Sequence, residues 1–455
     1  MPLPRSNVAG AAWPAVADAL GNSFMALQWQ FEQSERWPAA QLAAAQLTQL
    51  SALVAHCAAC VPFWRERLAS AGIAGTDLTW QAWRSLPVLA RAEAGAAGAA
   101  LHATPLPAHH GKIARYATSG STGEPLVGLK TELSQFFFQG LLLRELLWHG
   151  WDPAARMAVI REDPGGTAPP PDGREQSSWG PPVSQLFGTG KLAMLDMRAP
   201  VAAQAAWLQR RDPDILLTWP SNLAALARHC RDGGIRPARL RVVRTLAETV
   251  APALRALVRQ AWGAEIVDSY SAEEIGLLAL QCPAGPRYHI QAEGALVEVL
   301  DEDGAPCGPG EIGQVVVTPL HNFAMPLLRY AIGDDAEVAG GPCACGRTLP
   351  TLARIVGRTR DRLRLPDGDW RFAHNPSEAF ASVKAIRRYQ IAQTARDRLD
   401  VRLLADATLR PGDEAVLADA LAAAFGHRFA LRFVYVDAFP RAPGQKFRDV
   451  VCEIA

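Results

Sequence analysis

The period of apolar and polar positions changes twice along the chain. Leu47, Leu50, Leu53 and Val54 recur at helical spacing, and Val61-Pro62-Phe63-Trp64 opens a second short helix ending near Ala71, so residues 1–100 read as mainly helical. From about Arg115 short strands, glycine turns and helices alternate. The pattern predicts a buried helix over 136–148, buried strands over 157–160, 214–218 and 264–269, and a surface loop over 163–178. A meander follows, with strands over 295–300 and 313–318 around a turn at 301–304. The texture breaks again near 357–361. Beyond it the pattern predicts a hairpin over 361–371, a helix from Ser377, a strand over 389–392, a helix over 413–425 and a final strand over 431–436. The expected class is α/β: a large N-terminal α/β domain with a β-rich subdomain, residues 1–358, and a small α+β C-terminal domain, residues 359–455.

Composition narrows the function classes. The chain has 455 residues, 49% of them hydrophobic and 20% charged, which suits a folded protein with a sizeable core. Lys+Arg number 46 against 45 Asp+Glu, so the net charge of +1 speaks against a general nucleic-acid binder or a polybasic membrane binder. The greasiest stretch, Phe136 to Trp148, is broken by Gln139, Gly140, Arg144 and Glu145, and no membrane-spanning helix is expected. The opening Met-Pro-Leu-Pro-Arg lacks the pattern of a signal peptide. Eight cysteines are too sparse for a disulfide scaffold, so a cytoplasmic location is expected, with thiols that are buried or bind metal. Only five residues are lysine (Lys112, Lys130, Lys191, Lys384, Lys446), and a lysine in a chemical setting stands out.

Four segments carry candidate chemistry. Ser119-Gly120-Ser121-Thr122-Gly123, between Thr118 and Glu124, offers hydroxyls and backbone N–H groups to one anion, as a phosphate cradle does, without the Gly-Lys-Ser/Thr ending of a Walker loop; the same run also suits a plain surface loop. Asp268-Ser269-Tyr270 to Glu274 follows a buried strand, where a carboxylate is placed for Mg²⁺ or, equally, for a helix N-terminus. Asp334 follows a glycine, fitting either a ribose diol or a simple turn. Lys446 lies in a Pro/Gly-rich loop, either solvated or reaching into a cleft to stabilise charge on phosphate.

The order and spacing of these segments resemble the adenylate-forming superfamily of acyl-CoA synthetases and adenylation domains, and within it the phenylacetate-CoA ligase family. The resemblance rests on Thr118 to Pro125, Tyr270 to Glu274, Pro326 to Asp334, Gly357-Arg358-Thr359-Arg360-Asp361 and Lys446, with Cys343 to Pro350 and Val61 to Arg67 pointing to the phenylacetate branch. It implies a mobile small domain and an ATP- and Mg²⁺-dependent ligase that makes an acyl-adenylate and passes it to CoA. Ser119 to Gly123 would hold phosphates. Glu248, with Asp268, Ser269 and Tyr270, would border the adenine. Glu274 would bind Mg²⁺, Asp334 with Arg358 the ribose, and Lys446 the carboxylate and α-phosphate. Arg360 would be the hinge.

The chain departs from the family pattern at Glu124, Glu273, Ser271 and Arg360, adding two carboxylates near a triphosphate. The two carboxylates favour one alternative, an inactive nucleotide-binding or zinc-stapled scaffold; transfer to an acyl carrier protein or an amine is carried as another, and a homodimer is left open. Phe137, Phe138, Gly140 and Trp219 are expected to line the pocket for a flat carboxylic acid, although each also suits core packing. Cys282, His289, Cys343 and Cys345 form a three-thiolate, one-imidazole set suited to structural Zn²⁺, against the alternative of unconnected buried cysteines.

Overall fold

The computed structural model describes residues 3–73, 78–117, 126–358, 362–366, 370–372, 377–439 and 449–454. The chain forms two compact units, the larger running to Ile355 without Gly333–Asp335, the smaller from Val356 onward.

The larger unit opens with α1 (Ala19–Ser34), α2 (Ala39–Cys60), α3 (Pro62–Ser70), α4 (Trp80–Ser85) and α5 (Arg91–Ala97). By length and composition α2 is, among the described residues, the one helix apolar enough to span a bilayer. Here it is a docked helix. Leu50, Leu53, Val54 and Cys57 enter the main core, and Gln46, Gln49 and His56 bond the carbonyls of Ala292, Leu320 and Phe323 at 2.8, 3.0 and 3.0 Å. The hairpin β1 (Ile113–Ala117) and β2 (Val127–Thr131) comes next. It leads into α6 (Glu132–His149), which starts on a reciprocal Thr131–Ser134 capping pair and stops at Gly150 in the left-handed region, φ +61.

A twelve-stranded sheet follows. Its parallel half is β3 (Met157–Arg161), β5 (Leu192–Asp196), β6 (Ile215–Thr218), β7 (Val242–Leu246) and β8 (Glu265–Ala272), ordered 8-7-6-3-5 and joined through α7 (Val183–Leu186), α8 (Val201–Arg211), α9 (Pro220–Asp232) and α10 (Pro252–Trp262). The expected loop over 163–178 contains a short edge strand, β4 (Arg174–Gln176), antiparallel to β5. Its polar residues hide it from any hydrophobic period. Gly173 lets it approach: a Cβ there would lie 2.0 Å from the Met194 carbonyl oxygen. The other half carries β9 (Gly276–Gln281), β10 (Tyr288–Ile290), β11 (Ala295–Leu300), β12 (Ile312–Pro319), β13 (Tyr330–Val338) and β14 (Thr351–Arg358), in the order 11-12-13-14-10-9 beside β8. The α/β class with a β-rich subdomain is therefore present.

The smaller unit contains β15 (Arg362–Arg364), β16 (Trp370–Phe372), α11 (Ser377–Ser382), β17 (Ile386–Ala395), β18 (Arg398–Ala405), α12 (Pro411–Phe425), β19 (Ala430–Tyr435) and β20 (Val450–Cys452). Four strands order 19-18-17-20, with Leu417, Leu421 and Phe425 of α12 buried in that unit's core. The strand expected to be final is β19; β20 follows it and pairs in parallel with β17.

Candidate functional site

The C-terminal ends of β6, β7 and β8 lie side by side, the crevice where open parallel sheets bind ligands. Ala247, just past β7, holds φ +75, a left-handed conformation that costs a non-glycine residue about 1–2 kcal/mol. The next residue, Glu248, accepts the Ser221 N–H at 2.8 Å and the Ser221 hydroxyl at 3.1 Å at the start of α9. Asp268 lies deeper than its expected place at the nucleotide. Its carboxylate accepts the Thr245 hydroxyl at 2.6 Å and the Tyr288 hydroxyl at 2.8 Å, so it ties β7 and β8 to β10. Ser269 likewise points inward, donating to Glu145 at 2.5 Å, and the same carboxylate is ion-paired with Arg244. Tyr270 is buried in the main core. Asp268 and Ser269 thus support the motif from beneath.

Burial raises the Asp268 carboxyl to about 6, against the pull of Thr245 and Tyr288, which lower it. The native state therefore holds this proton more tightly than the unfolded chain does. The stability contributed is fully present below the unfolded value of 3.8 and is lost as pH rises through about 6. Asp268→Asn should remove that loss. Relative to the parent, its unfolding free energy should improve between pH 4 and 7 by on the order of 2–3 kcal/mol in urea titrations. Parallel pH curves for the two proteins would refute the assignment.

Glu273 and Glu274 occupy the turn from β8 to β9. Glu274 is buried and meets Arg91 at 2.5 Å and the Tyr330 hydroxyl at 3.5 Å. Glu273 directs its side chain outward, while its carbonyl accepts from Lys130 Nζ at 2.6 Å. That ammonium sits 4.7 Å from the centre of the Tyr116 ring. Tyr116 and Gly128 face each other across β1 and β2, and a Cβ on Gly128 would lie 2.1 Å from the ring. Burial, then Glu274, pushes the Tyr116 phenol up; burial pulls Lys130 down, opposed by Glu273 and Glu274. Two cations thus face the paired carboxylates, and neither Arg91 nor Lys130 was singled out from sequence. They lie 183 and 143 residues from their partners, a distance over which no local pattern operates. Asp334 is buried in β13. Ser119, Gly120, Ser121, Thr122, Gly123, Arg360 and Lys446 lie outside the described residues, as does the side chain of Arg358.

Of the four residues expected to line an acid pocket, two share a neighbourhood. Phe137 on α6 stacks on His321 with centroids 3.6 Å apart, and Phe138 lies against Gly276 at the start of β9. Burial lowers His321 to about 4, which keeps it neutral. Gly140 is a helix contact instead: a Cβ there would lie 2.4 Å from Leu27 of α1, and its carbonyl accepts from Gln28 at 2.8 Å. Trp219 packs on the parallel-sheet core at the start of α9.

The four predicted metal ligands converge. Cys282 follows β9, His289 lies in β10, and Cys343 and Cys345 lie in the loop between β13 and β14. Strand β10 pairs with both β9 and β14, which joins the halves. All four ligand atoms fall within 4.8 Å of one another, with Cys282 Sγ to Cys343 Sγ at 3.5 Å and Cys345 Sγ to His289 Nε2 at 3.3 Å. A tetrahedral zinc site with bonds of about 2.3 Å places its ligand atoms about 3.7 Å apart. Burial lowers the His289 imidazole to about 4, leaving the neutral form that coordinates metal, and raises Cys282 to about 12 in the metal-free protein.

No family model matches the chain. It is 28% identical over 388 residues to phenylacetate-coenzyme A ligase of Thermus thermophilus, covering 80% of this chain and 81% of that protein. The phenylacetate-coenzyme A ligase of Escherichia coli is 28% identical over 169 residues, 35% of this chain and 38% of the relative. Among solved structures, 2-hydroxyisobutyryl-CoA ligase in the postadenylation state with 2-HIB-AMP aligns with a TM-score of 0.73 at 19% identity, over 93% of this chain and 92% of that one. Anthranilate CoA ligase with anthranoyl-AMP aligns at 0.56 and 17% identity, over 74% and 66%.

Proposed function

We propose that this chain, a homologue of the phenylacetate-coenzyme A ligases, is an ATP-dependent acid–CoA ligase whose substrate is a small aromatic carboxylic acid. The observation that carries the reading is the meeting, at the C-terminal end of β8, of buried Glu274 with Arg91 and Tyr330, next to Glu273 whose carbonyl accepts from Lys130. In the first half-reaction a carboxylate oxygen bonds to the α-phosphorus of ATP while the bond to the β-phosphate breaks and pyrophosphate leaves. In the second, the CoA sulfur, having lost its proton, bonds to the acyl carbon and AMP leaves. Arg91 and Lys130 balance the negative charge that Glu273 and Glu274 bring toward a triphosphate, an offset the sequence did not reveal. Glu274 fits Mg²⁺, which takes one or two carboxylates and completes its shell with phosphate oxygens and water. Bound there, the ion would neutralise phosphate charge. The stack of Phe137 on His321, a neutral flat surface, suits an aromatic acid.

The reading is tested by ATP–pyrophosphate exchange with a panel of acids headed by phenylacetate and benzoate. CoA is then compared with an acyl carrier protein as acceptor. Exchange with no acid would refute it.

The thiolate and imidazole set suits structural zinc. It offers four ligands and no open position, so its contribution is to stability rather than chemistry. Protein prepared without chelator should carry about one zinc per chain by elemental analysis. Cys345→Ser should lose the metal and melt at lower temperature. Finding no metal in the parent protein would end this assignment.

A further inference from the structure

Strand β12 ends at Pro319, and His321 follows it with its ring stacked on Phe137 of α6, the two planes 8° from parallel. Its Nε2 lies 2.8 Å from the Glu293 carbonyl oxygen. A carbonyl only accepts, so Nε2 carries the proton. In a ring that burial keeps neutral, Nδ1 is then a bare acceptor. Among the described residues no hydrogen bond reaches it. The ring is not free to turn. Glu293 is held by Arg144 Nη2 at 2.7 Å, by Arg144 Nη1 at 2.9 Å and by the Ser34 hydroxyl, which fixes the carbonyl, and the stack fixes the plane. His110 adds a second imidazole that burial holds toward its neutral form. It meets Phe323 edge-on at 4.7 Å, and its buried Nδ1 finds no partner among the described residues. The His110 carbonyl accepts the Leu133 N–H at 3.2 Å, one helical turn before Phe137.

This aromatic face lies beside the paired carboxylates. Phe138, the next residue, packs on Gly276, where a Cβ would lie 3.2 Å from its ring, two residues beyond Glu274. Stacking alone would be served by a phenylalanine, which brings no polar nitrogen; burying a polar atom is costly unless its hydrogen bond is made. An unpaired acceptor fixed at the edge of a stacking surface is matched by a donor from outside the protein. We propose that His321 is a specificity-determining residue, and that the acid this chain activates carries a hydroxyl or amino group on its aromatic ring that donates to His321 Nδ1. The inference rests on the ligase reading above. A second carboxylate on the ring, which only accepts, would find no donor at that nitrogen.

The quantity that tests this is a ratio, which a general loss of fold or rate leaves unchanged. In ATP–pyrophosphate exchange by the parent, kcat/KM for the best ring-hydroxylated or ring-aminated phenylacetate or benzoate should exceed that of the unsubstituted acid at least about tenfold, and methylating the donor should remove the advantage. His321→Phe keeps the stack and removes the acceptor, so the ratio should fall to within about twofold of one whatever the absolute rates. His321→Asn puts an amide oxygen near the place of Nδ1 and should restore part of the ratio. A ratio near one in the parent, or a parent-like ratio in His321→Phe, would overturn the proposal and leave the ligase reading standing. Nitrogen NMR of the histidine-labelled parent gives a readout independent of the variants. The Nδ1 signal of a neutral, Nε2-protonated imidazole should shift when the preferred acid is added, and should stay in place with its methylated analogue. No such shift would overturn the proposal even if neither variant folds. Absence of exchange with every acid would overturn the ligase reading, leaving the Nδ1 signal to judge the binding site.

Discussion

Glu274→Ala is expected to lower ATP–pyrophosphate exchange by about 10²–10³-fold or more, the several kcal/mol associated with losing charge stabilisation at a phosphoryl-transfer site. The geometry separates this from simple unfolding. Glu274 is buried, but its partner Arg91 keeps a quarter of its side chain in solvent, so the guanidinium left behind can hydrate. Glu274→Gln, which keeps the shape and the contact with Tyr330, should fold like the parent and be nearly as slow. Glu273→Thr is the control. Its side chain already points to solvent, and its carbonyl, the atom Lys130 holds, is unchanged, so exchange should stay within about twofold or rise as a like charge leaves the phosphates. Equal losses in the 273 and 274 variants would mean that the metal-binding carboxylate had been misplaced by one residue.

What was legible in the sequence tracks how locally each feature is determined. The buried strands over 157–160, 214–218 and 264–269 are short apolar runs between turn residues, and they became β3, β6 and β8. The convergence of Cys282, His289, Cys343 and Cys345 was readable because thiols and an imidazole among proline and glycine turns suit a shared metal. Strand β20 was not, because Val450-Val451-Cys452 is too short to show a period and finds its partner about 60 residues away on β17. The direction of side chains at a strand end is equally hidden. Asp268 sits at the predicted end of a strand, but only the fold shows Thr245 and Tyr288 on its oxygens. Gly140 likewise looked like room for a ligand, while the room is taken by Leu27. The cations at the carboxylates come from elements far away in sequence, so their place beside Glu273 and Glu274 shows only in three dimensions.

Lys446→Ala should cripple acyl-adenylate formation while sparing thioester formation. Lys446 lies outside the described residues; its expected role follows from the chain's likeness to phenylacetate-coenzyme A ligase and from where the lysine falls in sequence. It is one of five lysines, it stands about 86 residues beyond residue 360, and it belongs to the chain of the smaller unit. A lysine ammonium contacting the attacking carboxylate and the α-phosphate stabilises charge that develops in the transition state. Loss of one such contact costs on the order of 3–4 kcal/mol, or 10²–10³ in rate. ATP–pyrophosphate exchange should fall by that factor. If the smaller unit carries the ammonium away from the acyl-adenylate between the half-reactions, the variant supplied with phenylacetyl-adenylate and CoA should form thioester at close to the parent rate. Lys446→Arg is informative alongside it: the charge is kept but the planar fork replaces a compact ammonium, so adenylation should recover only in part. A lysine acting in both steps would slow both equally, and a lysine acting in neither would slow none. Either result would count against domain alternation in this chain, because a lysine carried away with the smaller unit between the steps serves adenylation alone.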